Sequence, residues 1–212
     1  MKKLILPLLI IFNLQTACSQ EVITLPEPDI TGGISLMQAL NERQTSREFS
    51  QKDLTLQDIS DLCWAAWGYN RDDKRTAPSS QNKQEMELYL FLKEGIYKYN
   101  ASEHSLIKTK KGDYRSHSGL QDFVEDAPLN FVYVSNMESA GYESPDEITC
   151  ETLTPSHANT GFMAQNVYLT AASKGLGSVI RGWIDADDLH NIMELDEMQV
   201  PLYGQTVGYI KQ

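Results

Sequence analysis

The sequence predicts an α+β fold, and three observations carry that reading. Residues 88–92 and 96–99 are β-rich runs that meet through Lys93-Glu94-Gly95 as a hairpin. The strongest helical signal comes much later, at 158–174. There Ala164, Val167, Tyr168 and Ala171 mark an inner face, and Lys174-Gly175 supplies a basic last turn with a glycine stop. Elsewhere helices and strands alternate irregularly, without the β–α–β rhythm of a parallel sheet. A chain of 212 residues suits one domain with a sizeable core.

Each element has a local reason. Met1-Lys2-Lys3, an apolar run at 4–14 and Thr16-Ala17-Cys18-Ser19 have the layout of a secretory signal peptide, and the run is too short to span a membrane. Residues 1–19 are therefore expected to direct export from the bacterial cytoplasm, leaving the protein periplasmic or lipid-anchored at the cell envelope. Cys18 after Ala17 resembles a lipobox cysteine, although Gln15 stands where such boxes usually carry Leu. Lipidation of Cys18 and ordinary cleavage after Ser19 both stay open. Residues 20–33, with Pro26, Pro28, Gly32 and Gly33, read as an extended leader, and 34–212 as the folded domain.

Ser35-Leu36-Met37-Gln38 has the capping-box pattern of a short helix running towards Arg43. Thr55 opens a second helix, in which Ile59, Leu62, Cys63 and Ala66 form one buried stripe before Gly68. Cys63 is thereby a core thiol, with Trp64 and Trp67 flanking it. Residues 100–125 read as irregular with a short helix, 130–135 as a buried strand and 136–156 as an acidic surface loop. A short strand is expected at 178–180, a helix from Asp185 with Leu189, Ile192 and Met193 inward, and a last strand at 205–210.

Charge and motif chemistry exclude several functions. With 29 acidic and 18 basic side chains the net charge is −11, which argues against a nucleic-acid partner. Cys18, Cys63 and Cys150 are too scattered for a disulfide framework or a zinc ribbon. His104, His117, His157 and His190 lack metal-ligand spacing and read as surface or loop residues. No dinucleotide fingerprint, P-loop or nucleophile elbow occurs. No side chain stands out as a catalytic nucleophile, so an enzyme built from this sequence needs a cofactor to bring the reactivity.

Three segments stand out against that background. Arg43-Gln44-Thr45-Ser46-Arg47-Glu48-Phe49 places two guanidinium forks around hydroxyl donors, the chemistry of a phosphate cradle. Pro78-Ser79-Ser80-Gln81-Asn82-Lys83-Gln84 is dense in groups that donate and accept together, as the edge of a planar heterocycle requires. Gly175-Leu176-Gly177 leads to Arg181-Gly182, where a glycine can bring a backbone N–H close to a ligand.

In this order and spacing the segments resemble the nitroreductase-like flavoproteins. The pattern also includes Gln165-Asn166 on the long helix and the closing Gln205-Thr206-Val207-Gly208-Tyr209, so the resemblance covers about residues 35–211. It implies a central, mainly antiparallel sheet flanked by helices, an interlocked homodimer and bound FMN. Arg43 and Arg47 would hold the FMN phosphate, with Gln44 and Thr45 on the ribityl and ring side. Ser79, Ser80, Asn82 and Gln84 belong to the loop that would reach the partner subunit's flavin. Arg181 and Gly182 would lie over the isoalloxazine, the Gly182 N–H facing flavin N5. Two departures from the family pattern are visible: Arg181 stands where several relatives carry an acidic or neutral residue, and Lys211 alone stands in for a terminal basic pair.

The implied activity is two-electron transfer through flavin N5 to a small organic acceptor such as a nitroaromatic or a quinone. NADH or NADPH would be the donor, unless export makes it an envelope carrier. The alternatives are a dehydrogenase of a modified peptide or cyclic substrate, and a non-catalytic flavin-binding envelope lipoprotein.

Overall fold

The architecture follows from strands that alternate apolar residues to both faces of one sheet. The computed structural model describes residues 20–211; the expected signal peptide and lipidation site lie outside them. In order come β1 (Val22–Thr24), α1 (Leu36–Glu42), α2 (Leu56–Trp67), the ribbon β2 (Tyr69–Arg71) and β3 (Lys74–Arg75), then β4 (Met86–Leu92), β5 (Gly95–Asn100) and β6 (Ser105–Lys111). β7 (Leu129–Asn136), α3 (Thr154–Ser173), β8 (Gly177–Arg181), α4 (Ala186–Met193) and β9 (Gln199–Gly208) complete the chain. Seven strands form one antiparallel sheet in the order β1-β6-β5-β4-β7-β9-β8.

The central strands are buried on both sides. Leu88 and Leu90 of β4 and Phe131 and Tyr133 of β7 point towards α2 and α3, meeting Leu62, Cys63, Met163 and Val167. Their neighbours Tyr89, Phe91, Val132 and Val134 point the other way and pack on Leu189 and Met193 of α4. This two-residue alternation buries large side chains on both faces, each stabilising by about 1.5–3 kcal/mol.

Capping explains the helix starts. Thr55 Oγ1 accepts from Asp58 N at 3.1 Å while the Asp58 carboxylate accepts from Thr55 N at 3.1 Å, a complete reciprocal box. At α1 the box is only half formed: Ser35 Oγ accepts from Gln38 N, but the Gln38 amide turns to Glu42. Cys63 is fully buried, and burial pushes its thiol well above the ordinary value, which keeps it an inert core group.

Five expectations need correction. The segment 100–125 contains β6, whose Lys108, Lys110 and Lys111 disguise a strand near the sheet edge. The leader supplies β1, which pairs with β6, so residues 20–33 lie docked on the sheet and helices. α3 begins at Thr154 rather than 158, with Pro155 in its first turn. β9 begins at Gln199 and ends at Gly208, six residues earlier at its start than expected and two at its end. His104 is also more than a loop residue. Its ring meets Ser60 Oγ at 2.7 Å and Tyr99 Oη at 2.8 Å, joining α2, β5 and the leader at Pro26.

Candidate functional site

The arginine segment lies across one end of the sheet. α1 stops at Glu42, and Arg43 caps it with its N–H on Ala39 O at 2.9 Å. Beyond it the backbone is no longer helical: Thr45 forms a parallel bridge with Ser178 of β8, and Ser46 N donates to Ser178 O at 3.0 Å. Phe49 bridges Ile210, and Ser50 N donates to Tyr209 O at 2.8 Å. This close approach requires Gly177, where a Cβ would lie 2.8 Å from Ser46 Cβ.

The two arginines open onto different surfaces. Arg43 and Gln44 line a cleft of about 430 Å³ with Tyr168, Ser178 and Ile210. The Arg43 guanidinium lies over the Tyr168 ring at 5.2 Å, and the Tyr168 hydroxyl accepts from Ile180 N at 3.0 Å while meeting Thr45 Oγ1 at 3.3 Å. Tyr168, read from the sequence as an inner-face residue, thus ties α3, β8 and the arginine segment together. Arg47 instead shares a shallow groove of about 300 Å³ with Lys211, Phe49, Phe123 and four acidic residues, Glu48, Asp122, Glu125 and Asp126. Among the described residues neither Arg43 nor Arg47 forms an ion pair.

The loop at 79–84 lines neither surface. Its backbone enters the left-handed region at Gln81, Asn82 and Gln84, with φ of 52°, 56° and 53°, a conformation that costs ordinary side chains energy and needs support. The support is internal. Ser79 Oγ accepts from Gln84 N at 3.0 Å, and Gln84 Nε2 donates to Asp73 O at 2.7 Å. Arg75 donates to Gln84 Oε1 at 2.8 Å while packed over the Tyr69 and Trp67 rings. Gln84 is therefore a strut of the loop, and Ser80 and Asn82 are its exposed tip. The sequence reading missed Arg75, because Tyr69 and Trp67, on whose rings it packs, lie six and eight residues before it.

At the other end of β8 the expectation for Arg181 is corrected. Its side chain does not reach an open face: it is 3% exposed and donates to Ser118 O at 2.9 Å, Gln121 Oε1 at 3.4 Å and Asn130 Oδ1 at 3.3 Å. In a strand successive residues face opposite ways, so the end of β8 turns Arg181 inward and leaves Gly182 and Trp183 exposed.

The profile of the nitroreductase family matches residues 40–209. The chain belongs to the nitroreductase family. A nitroreductase-type protein of Methanocaldococcus jannaschii is 30% identical over 193 residues, spanning 85% of this chain and 93% of that one. A crystal structure of a nitroreductase-type protein from Ralstonia eutropha JMP134 is 41% identical, covers 92% of both chains and superposes with a TM-score of 0.83. The fold extends further: a chain of the E. coli microcin synthetase McbBCD complex covers 99% of this nitroreductase-family chain and 85% of its own length, at 21% identity and a TM-score of 0.69. The matched span of the nitroreductase profile takes in the whole arginine segment, the 79–84 loop and both ends of β8. Its relatives imply oxidoreductase chemistry.

Proposed function

We propose that this protein is an FMN-dependent oxidoreductase, acting as a homodimer, that passes two electrons to a small organic acceptor such as a nitroaromatic or a quinone. The observation that carries the reading is Arg43 and Arg47, two guanidinium groups without an ion-pair partner among the described residues of a chain with 11 more acidic than basic side chains. Planar forks left free in an acidic protein match the bidentate needs of a phosphate. Gly182 fits the same ligand: a Cβ there would meet nothing closer than the Tyr203 ring at 3.5 Å, so no protein atom requires a glycine and its open side suits a flat group.

FMN, when bound, supplies the two-electron chemistry, and the chain's residues bind and orient it. Arg43 would hold the phosphate in its cleft, with Gln44 and Thr45 on the ribityl and ring side, and Arg47, with Lys211 beside it in the neighbouring groove, would add positive charge at the edge of the cofactor. Gly182 presents its N–H to the ring. The 79–84 loop lines neither arginine surface of its own chain, which supports the reading that Ser79, Ser80 and Asn82 serve the partner subunit's site, with Gln84 holding the loop in shape. Residues 1–19 place the enzyme outside the cytoplasm, so an envelope carrier replaces NADH or NADPH as its electron donor.

The purified protein should be yellow and should release FMN on heating, identified by chromatography. A colourless protein that also fails to take up added FMN would overturn the cofactor. Light scattering of the loaded protein should give a dimer; a monomer retaining FMN would overturn the shared site.

A further inference from the structure

The geometry points to Arg181 as a buried positioning residue whose fixed positive charge raises the electron affinity of the cofactor site beside it. This rests on the FMN reading, because Arg181 immediately precedes Gly182, the residue assigned to the flavin ring.

The slot around Arg181 is built to hold a cation without neutralising it. Nη1 and Nη2 donate only to neutral oxygens, of Ser118, Gln121 and Asn130, and Nε has no partner. Among the described residues no carboxylate pairs with it. Two glycines make the room: a Cβ on Gly119 would lie 1.7 Å from Nη1, and one on Gly204 would lie 2.8 Å from Nη2. Burial pulls the guanidinium down to about 10, which still leaves it charged near neutral pH.

An unpaired buried charge is costly, and a hydrophobic residue would fill the same space more cheaply. An arginine in that slot therefore calls for an effect that a neutral side chain would not give. A charge surrounded by protein is weakly screened, so its field reaches the exposed turn at Gly182 and Trp183. Oxidised FMN that takes up two electrons and one proton gains one negative charge. A fixed cation favours that reduced state. The same guanidinium holds the segment 118–121 against the end of β8, where Leu120 N donates to Trp183 O at 3.2 Å.

The test is the midpoint potential of the FMN-loaded protein at pH 7, measured by spectroelectrochemistry. Wild type is compared with Arg181→Lys, Arg181→Met and Gln121→Glu. The last variant places a carboxylate beside the guanidinium without removing it, at the half-buried side chain whose Oε1 already accepts from Arg181 Nη1 at 3.4 Å. We expect Arg181→Met and Gln121→Glu to shift the equilibrium against reduction at least tenfold, about 30 mV for a two-electron couple. Arg181→Lys should stay close to wild type. Wild-type potentials in Gln121→Glu would overturn the inference even if Arg181→Met fails to fold, because a charge in that slot would then not be felt at the flavin. A wild-type protein that binds no FMN would overturn the cofactor reading and this inference together, whereas unchanged potentials in yellow variants would overturn this one alone.

Discussion

The two ends of β8 use arginine in opposite ways. At the Gly177 end, Arg43 and Arg47 are carried on an extended segment bridged to Ser178 and lack carboxylate partners among the described residues; Arg43 leans on the Tyr168 ring. At the other end, Arg181 is buried, and both terminal nitrogens are consumed by neutral acceptors. Residue type is the same in both places. What differs is how many donors remain free, and that separates an arginine offered to a ligand from one that shapes the protein and its field.

The comparison breaks most sharply at Gly119. Gly119→Ala drives a methyl into the Arg181 guanidinium, and the destabilisation should reach about 3 kcal/mol, measured by urea denaturation. Wild-type stability would mean that the slot yields freely and that Arg181 is not held as described.

At the other end the same measurement should barely move. Arg47→Glu should change stability by no more than about 0.5 kcal/mol, yet weaken FMN binding by more than about tenfold, because a charge-assisted hydrogen bond of roughly 1.5–3 kcal/mol becomes a repulsion. The control is Lys111→Glu, an exposed charge on β6 that should leave retention unchanged. Lys108, by contrast, is paired with Glu21 at 2.7 Å and is the poorer control. Equal retention in the Arg47 and Lys111 variants would mean that the cofactor does not reach Arg47.

A third cation sharpens the contrast with the smallest effect. Lys174, just before β8, does have carboxylates: Asp58 at 3.1 Å and Asp61 at 2.6 Å. Burial alone would raise the Asp58 carboxyl, but hydrogen bonds from Thr55 and Lys174 outweigh it and hold the group below the ordinary carboxylate value. A lowered carboxyl contributes stability that is present above the unfolded value and is lost as pH falls through the folded one. Lys174→Met should therefore cost about 1 kcal/mol at pH 7 and flatten the decline in stability below pH 4. An acid limb as steep as wild type would mean that Lys174 does not hold Asp58 in its charged form.

Much of this molecule was legible because its causes are local. The hairpin of β4 and β5, the capping box of Thr55 and Asp58, and the Asp185 cap of α4 each depend on a few neighbouring residues. β1 and β6 were not legible, because β1 is short and β6 lysine-rich, and each is a strand only through its partners, β6 for β1 and both β1 and β5 for β6. The His104 contacts escaped for the same reason, since Ser60 lies 44 residues away in sequence.

The candidate site divides along the same line. By itself the sequence determined the α+β class, the acidic surface and the presence of three segments with the right donors, because composition and short spacings need no partner to be read. Only the tertiary structure decided what those donors face. Arg43 and Arg47 look like one cradle when spaced as on a helix, but α1 stops at Glu42, and four extended residues span roughly 13 Å, so they open onto separate grooves. Gln84 proved to be a strut because Arg75 and Asp73 come to it across a turn. Arg181 turned inward because Gly119 and Gly204, from distant parts of the chain, leave it room. A side chain's chemistry is written in the sequence, but its free valences are counted only after folding has brought its partners within about 3 Å.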